Sequence, residues 1–253
     1  MSILSPRIMR EKVHLKRLHV NDTELHYVEE GSGTLAVCVH GTLGDYGTWQ
    51  KQITDFAQRY HVVAYSRRYH FPNRKADTFE YSAGLHAEDL AELIRKFTDS
   101  PAHLITASWG GNVALQLALS DPSLVRTIIL GEPPVLPLLV HDPRHKNLLD
   151  EFNQYAFSPA REALQHNRHE DGIRYFIDGV MGKGAYDAMP ASVHRRFLDN
   201  VDELKAETTS TNYIPDFTSS SIGNVRCPVL LVEGDQSPRI FRAILDILES
   251  YLP

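Results

Sequence analysis

Short apolar runs alternate along the chain with longer amphipathic segments. Five runs are almost continuously apolar: L-A-V-C-V (35–39), H-V-V-A-Y (61–65), H-L-I-T-A (103–107), V-R-T-I-I-L (125–130) and P-V-L-L-V (228–232). Runs of this length are typical of strands that are buried on both faces of a parallel sheet. The segments between them, including 49–59, 82–97 and 110–120, have the pattern of amphipathic helices. The alternation predicts an α/β fold with a mostly parallel, doubly wound sheet.

Two regions depart from this alternation. Residues 15–20 and 23–28 are separated by Asn21-Asp22, which predicts an antiparallel hairpin at the sheet edge. From 133 to 224 the strand pattern stops and helical fragments replace it. We interpret 133–224 as a helical cap inserted into one sheet domain, whose two parts are residues 1–132 and 225–253.

Composition narrows the possible partners. A net charge of -6, without a cluster of Lys and Arg, argues against a nucleic acid partner. Cys38 and Cys227 lie in or beside apolar runs and are predicted to be reduced packing residues. No apolar run approaches the ~18 residues of a membrane span, and the N-terminus lacks the apolar core of a signal peptide. We therefore expect a cytoplasmic protein without a membrane partner. The partner that remains is a small-molecule substrate.

Ser108 lies directly between the predicted strand 103–107 and the predicted helix 110–120. A serine at such a position occupies a strained turn that presents its hydroxyl above the sheet edge. The turn requires small neighbours, and Gly110 supplies one, but Thr106 stands where glycine is usual. Taken alone, the S-x-G-G pattern is more typical of simple helix capping.

A second segment changes that interpretation. His40-Gly41-Thr42 follows the predicted strand 35–39 and precedes a Gly-rich loop. The backbone N–H groups of Thr42 and Trp109 could together bind a tetrahedral oxyanion beside Ser108. Ser108 is therefore a candidate nucleophile, and Thr42 and Trp109 are candidate oxyanion-hole residues.

Four motifs in this order resemble the α/β-hydrolase family: V-H-G-T (39–42), A-S-W-G-G-N-V-A-L-Q-L-A (107–118), L-G-E-P-P-V (130–135) and V-L-L-V-E-G-D-Q-S-P (229–238). The resemblance implies a three-layer sandwich with a helical cap and a catalytic triad in the order Ser, acid, His. It places the serine after the fifth strand and the histidine after the eighth. It implies no metal and no organic cofactor.

Two carboxylates compete for the role of triad acid. Most family members place the acid after the seventh strand, at the end of a G-x-x-D turn, but here Ser237 occupies that position and Asp235 lies two residues earlier. A minority place the acid after the sixth strand, where Glu132 is found. We favour Glu132, with Asp235 as the alternative.

The histidine implied by the resemblance is not found. Seven strands can be counted, and all 13 histidines lie at or before His194. Three explanations remain: the sequence stops short of the histidine, which we favour; the protein is a natural non-catalytic relative; or another histidine substitutes. Without its base a triad serine loses nearly all activity, so the chain as it stands is expected to be almost inert.

The histidine that could substitute as the catalytic base is His70, in the loop after the fourth strand. Loops at the carboxyl ends of strands face the site in open α/β sheets, so Arg67, Tyr69 and His70 are candidate lining residues. The simpler interpretation is that these side chains order their own loop. His40 is expected to hold in place the loop of residues 40–45, which carries Thr42 and is here named the oxyanion loop.

The function that these observations favour is a serine hydrolase acting on a small ester, lactone or related acyl compound. Haloalkane dehalogenases and epoxide hydrolases of the family use an aspartate nucleophile, whereas position 108 is serine. The alternatives are a lyase or cofactor-free dioxygenase, in which the serine only positions the substrate, and a ligand-binding relative without catalysis. Five cap aromatics are more typical of cap core than of pocket lining: Tyr155, Phe157, Tyr175, Phe176 and Tyr186.

Overall fold

Seven strands form one sheet in a computed structural model, which describes residues 14–73, 80–140, 142 and 144–253. The strands are β1 (Lys16–Val20), β2 (Thr23–Glu30), β3 (Leu35–Val39), β4 (His61–Tyr65), β5 (Ala102–Ala107), β6 (Val125–Gly131) and β7 (Val229–Val232). Their spatial order is β1-β2-β4-β3-β5-β6-β7. The pairs β1–β2 and β2–β4 are antiparallel, and the others are parallel. The predicted mostly parallel, doubly wound sheet is confirmed.

The predicted hairpin forms one edge of the sheet. Val20 pairs with Thr23 across the two-residue turn, and Asn21 takes a positive φ of 47°. Asparagine tolerates this left-handed conformation better than most residues, which suits it to such a turn. The second strand of the hairpin runs to Glu30, two residues beyond its predicted end.

Helices cover both faces of the sheet. The helices of the sheet domain are α1 (Ile53–Phe56), α2 (Ala83–Phe97), α3 (Gly110–Ser120) and α11 (Arg239–Tyr251). The prediction of one helix over 49–59 is wrong: a 3₁₀ turn at Tyr46–Trp49 precedes the short α1. The cause is Asp45, whose carboxylate accepts the Gly47 N–H at 2.7 Å and starts the turn earlier.

The segment between β6 and β7 is helical. It comprises α4 (Pro137–Val140), α5 (Lys146–Phe152), a π-helical turn (Asn153–Phe157), α6 (Ser158–Gln165), α7 (His169–Met181), α8 (Ala191–Asp199), α9 (Val201–Thr209) and α10 (Ser219–Ile222). Its division from the sheet domain at 132 and 225 stays a prediction. No helix within the described ranges has the length and apolar character needed to cross a membrane.

Strands β3 and β4 are buried almost throughout, as their sequences predict, whereas β6 exposes Arg126 and β7 alternates between half-buried and exposed positions. All of β3 is buried, and Cys38 and Cys227 are buried free thiols. In β7, Leu230 is 57% exposed and Val232 is 43% exposed. The expectation that this run is buried on both faces is wrong, because among the described residues β7 is an edge strand that pairs only with β6.

Candidate active site

Ser108 lies on a sharp turn between β5 and α3. Its φ is +48°, a left-handed conformation that is strained for a residue with a β-carbon. The Ser108 N–H donates to the Gly131 carbonyl at 2.7 Å, and the Gly111 N–H donates to the Ser108 carbonyl at 2.8 Å. These bonds fix the turn between the end of β6 and the first turn of α3, so the serine lies at the N-terminus of a helix, where negative charge is stabilised.

The small neighbours of the turn have different roles. A β-carbon at Gly110 would lie 2.5 Å from the Val39 carbonyl oxygen and 2.7 Å from that of His40, so the close approach of α3 to β3 requires glycine. Thr106 is buried, and its Oγ1 donates to the Ile129 carbonyl at 2.8 Å. The threonine therefore fits between β5 and β6 and leaves the turn intact.

The loop after β3 packs directly against Ser108. A β-carbon at Gly41 would lie 2.9 Å from the Ser108 Cβ and 3.4 Å from its Oγ. Thr42 lines the same cavity as Ser108, and Trp109 follows Ser108 in the chain. Within the described residues, neither the Thr42 nor the Trp109 backbone N–H donates to another backbone or side-chain group.

Arg67 supports this loop from the side away from the cavity. Its Nε donates to the His40 carbonyl at 3.1 Å and its NH2 group to the Gly41 carbonyl at 3.2 Å. Its guanidinium also lies 4.4 Å from the centre of the Trp109 ring, so one cation contacts both segments that flank Ser108. The side chain is fully buried.

His40 uses both ring nitrogens to hold the same loop. Its Nε2 accepts the Arg67 backbone N–H at 2.9 Å, and its Nδ1 lies 2.9 Å from the Gly41 carbonyl. The neutral tautomer with a proton on Nδ1 satisfies both contacts. Burial, together with the Arg67 charge, holds the pKa of His40 well below its usual range. His40 is therefore a neutral structural residue.

His70 lies behind the oxyanion loop and outside the cavity. Its Nδ1 contacts the Gly44 carbonyl at 2.8 Å, while its Nε2 has no hydrogen-bond partner and lies 3.6 Å from Glu203 Oε1. Burial and the Arg67 charge lower its pKa well below the usual value. Arg67, Tyr69 and His70 are all buried, and none lines the cavity with Ser108. No histidine in the described ranges does so.

The cavity above Ser108 has a volume of about 490 Å³. Apart from Glu207, the residues of 133–224 that line it are apolar or aromatic: Pro134, Leu136, Phe152, Phe157, Phe176, Ile177, Val180, Met181, Phe197, Tyr213 and Ile214. Of the five cap aromatics considered from the sequence, Phe157 and Phe176 line the cavity, whereas Tyr155 and Tyr175 are exposed and Tyr186 is buried. In the described part of the chain, no group of three or more His, Cys, Asp or Glu residues could hold a metal ion.

The two candidate acids are Glu132 and Asp235. They lie on the side of the cavity opposite the loop that Arg67 supports. Glu132, directly after β6, has a φ of +48°, and its N–H donates to the Val232 carbonyl at 3.2 Å. Its Oε1 accepts the Gly234 N–H at 3.1 Å. Asp235 is exposed, and its carbonyl accepts from the Arg242 guanidinium at 2.8 Å. Both residues line the cavity, and Glu132 is the one whose carboxylate is held by a backbone donor.

Two further carboxylates at the site were not identified from the sequence. Glu207 lines the cavity and accepts the Thr42 hydroxyl at 2.8 Å, and Glu203 accepts the Leu43 N–H at 2.9 Å. Both belong to α9 and are buried. Their spacing of four residues, which places them on one helix face, is the only signal that the sequence carries for them.

The profile of the Alpha/beta hydrolase family matches residues 36–251 of this chain. The uncharacterized hydrolase YraK of Bacillus subtilis is 32% identical over 158 residues, which are 62% of this chain and 55% of that protein. The chain therefore spans about half the length of this relative. The 2-(acetamidomethylene)succinate hydrolase of Mesorhizobium japonicum is 28% identical over 235 residues, which are 91% of this chain and 81% of that protein.

The fold is also found among solved structures. The structure of Est816, described as an N-acyl homoserine lactone degrading enzyme, superposes with a TM-score of 0.72 at 21% sequence identity. The superposition covers 94% of this chain and 88% of Est816. Since the family profile covers most of the sequence, the chain belongs to the alpha/beta hydrolase family.

Proposed function

We propose that the protein is a serine hydrolase that acts on a small ester, lactone or related acyl substrate through an acyl-enzyme. The observation that carries this proposal is the position of Ser108. Its strained turn faces a cavity of about 490 Å³, and Gly41 of the oxyanion loop packs against its side chain. A strained turn at a strand end, with two backbone donors beside it, is what acyl transfer by a serine requires.

In the proposed reaction, Ser108 Oγ attacks the substrate carbonyl carbon. The carbonyl oxygen becomes an oxyanion that accepts hydrogen bonds from the backbone N–H groups of Thr42 and Trp109, each worth about 3 kcal/mol of barrier. The base in this scheme is the triad histidine that the family resemblance implies, since no histidine of the described residues lines the cavity. It takes the Ser108 proton and gives it to the leaving alcohol, and it then takes a proton from the water that releases the acyl group from Ser108. No metal or organic cofactor takes part.

Glu132 is the proposed acid that orients the imidazole. Its carboxylate lines the cavity and is fixed by the Gly234 N–H, which leaves its second oxygen available. The imidazole would approach from this side, where Gly234 and Asp235 are exposed. A carboxylate in this role selects the tautomer and stabilises the imidazolium that forms during attack.

The substrate class rests on the cavity and on the relatives. The apolar cap wall suits an apolar acyl or alcohol group. The Mesorhizobium japonicum relative is named as a hydrolase of 2-(acetamidomethylene)succinate, and Est816 is described as degrading N-acyl homoserine lactones. Both compounds carry acyl groups that a serine nucleophile can attack.

Ester hydrolysis and covalent labelling test the proposal in the full-length protein. With p-nitrophenyl butyrate and a γ-lactone, Ser108→Ala should lower kcat/KM by about 1000-fold or more. Ser120→Ala, an exposed serine at the end of the same helix, is the matched control and should not change it. A fluorophosphonate should modify the peptide that contains Ser108.

The alternative mechanism predicts a different outcome. If Ser108 only positions the substrate of a lyase or dioxygenase, the fluorophosphonate leaves Ser108 unmodified and the wild type does not hydrolyse either substrate. Hydrolysis that survives in Ser108→Ala within about tenfold would rule out the acyl-enzyme, because removal of a triad nucleophile costs far more.

A further inference from the structure

The cap helix α9 is hydrogen-bonded to the loop that carries the proposed oxyanion donor. Glu203 Oε2 accepts the Leu43 N–H at 2.9 Å, and Glu207 Oε2 accepts the Thr42 hydroxyl at 2.8 Å. The acids are four residues apart, on one face of the helix, and they bind two consecutive residues of the loop. Arg67 donates to the carbonyls of His40 and Gly41 in the same loop, so the loop is bonded both to the sheet domain and to α9.

These contacts are buried, and a guanidinium lies beside them. Glu203 is 0% exposed and Glu207 is 4% exposed. Arg67 lies 3.7 Å from Glu203 Oε1, and the Tyr81 hydroxyl donates to the same oxygen at 2.5 Å. Burial and the adjacent Glu203 raise the pKa of Glu207 well above its usual range, and burial also raises the pKa of Glu203. The Arg67 charge offsets part of this effect at both carboxyl groups.

The loop needs such support because it is strained. Leu43 has a φ of +58°, a left-handed conformation that costs a residue with a β-carbon about 1 kcal/mol or more. Leu43 is also fully buried, so its N–H would be left without water if Glu203 were removed. Any relaxation of Leu43 would displace the peptide of Thr42, the residue that precedes it.

We propose that Glu203 and Glu207 are positioning residues that hold the Thr42 N–H in its oxyanion-binding place. The cap would then contribute to transition-state stabilisation as well as to the cavity wall. This inference rests on the proposed hydrolase function, because it assumes that the Thr42 N–H binds an oxyanion. Small displacements of such donors are costly, since a shift of about 1 Å can reduce a rate by about 100-fold.

Steady-state kinetics on p-nitrophenyl butyrate test the proposal with variants on both sides of one hydrogen bond. Glu207→Ala and Thr42→Val each remove the bond and should lower kcat by about tenfold or more, with KM changed by less than about threefold. Their double variant should be no worse than either alone, because both remove one interaction. Using both partners keeps the test valid if one variant fails to fold.

A conservative variant separates hydrogen bonding from bulk structure. Glu207→Gln can accept the Thr42 hydroxyl and donate to Glu203, so it should restore kcat to about a third of the wild-type value or more. Thr209→Ala, an exposed position on the same helix, is the control for changes in α9 itself and should leave the kinetics unchanged. A change in KM alone, or equal damage in Glu207→Gln and Glu207→Ala, would overturn the proposal.

Hydrogen–deuterium exchange of the segment 40–45 tests the positioning without turnover. Exchange should be faster in Glu207→Ala than in the wild type and unchanged in Thr209→Ala, since loss of the support opens the loop locally. Unchanged exchange in Glu207→Ala would refute the support itself. If Ser108→Ala remains active while Glu207→Ala speeds exchange, the proposed function fails and the contact between cap and loop stands.

Discussion

The two walls of the cavity differ in burial and in how their polar groups are satisfied. At the oxyanion wall, Glu207 lines the cavity and Arg67 and Glu203 lie behind it, and all three are buried and hydrogen-bonded to the loop at Thr42. On the acid wall, Gly234 and Asp235 are exposed, and Glu132 is held by one backbone N–H. The donors that stabilise charge in the proposed reaction are thus fixed before substrate binds, whereas the acid wall is open to solvent.

The difference shows where electrostatic energy is concentrated in this fold. A charge on the buried wall is poorly screened, so its removal leaves a partner that cannot be hydrated. Pairs on the exposed wall exchange readily with water and contribute little to stability. Three substitutions test this contrast and a fourth, outside both walls, serves as the reference, and their expected effects decrease in the order given.

The largest effect is expected for Arg67→Met. This change removes the guanidinium beside Glu203 and both donors to the oxyanion loop, so it should lower the free energy of unfolding by about 3–5 kcal/mol. Arg242→Met breaks the exposed 2.6 Å ion pair with Glu233 on the other wall and should cost less than about 1 kcal/mol. Urea unfolding measures both, and equal costs would refute the contrast between the walls.

The second effect concerns activity on the acid wall. Glu132→Gln keeps an acceptor for the Gly234 N–H but removes the charge that stabilises an imidazolium, so kcat/KM should fall by about 100-fold or more. Asp235→Asn is the matched change at the competing position and should stay within about threefold, because its side chain is exposed at the rim. The reverse ranking would assign the triad acid to Asp235.

The sequence predicted the features that depend on local order. The turn at Ser108 is predicted because a buried strand, a serine and a helix follow one another directly, and the succession of strands and helices along the chain follows from the spacing of apolar runs. Features that depend on distant contacts were missed. Glu203 lies 160 residues from Leu43, and nothing in the sequence of α9 indicates that its acids face that loop. The exposure of β7 was missed for a related reason, since an apolar run does not tell whether a neighbour covers it. The cytoplasmic location stays a prediction.

The third effect is on the pH dependence of stability. The pKa of Glu207 is raised in the folded protein, so between its usual value of 4.5 and the folded value the native state binds more protons than the unfolded chain. This group therefore makes stability fall as pH rises, by at most about 1.4 kcal/mol per pH unit. Glu207→Gln removes that contribution.

The measurement compares Glu207→Gln with the wild type by urea unfolding near pH 5 and pH 7. The free energy of unfolding of the variant relative to the wild type should increase over this interval, by at most about 1.4 kcal/mol per pH unit. The buried His40, His70 and His86 have lowered pKa values and act in the opposite direction below their usual value of 6.5, but they are common to both proteins and cancel. A constant difference between the two proteins over this interval would show that the pKa of Glu207 is not raised in the folded protein.

The smallest effect is expected at Thr106, which lies on β5 beside the nucleophile turn and belongs to neither wall. Thr106→Gly restores the glycine that the turn usually has. It also removes the hydrogen bond to the Ile129 carbonyl and adds backbone freedom in a strand. The change should therefore lower the free energy of unfolding by about 1 kcal/mol. Thr106→Ser keeps the hydroxyl and should lose less. Because both walls keep their contacts, kcat/KM should change by less than about twofold in either variant. A gain in activity with glycine would mean that the threonine holds Ser108 away from its best position, and that the turn, rather than the walls, limits the site.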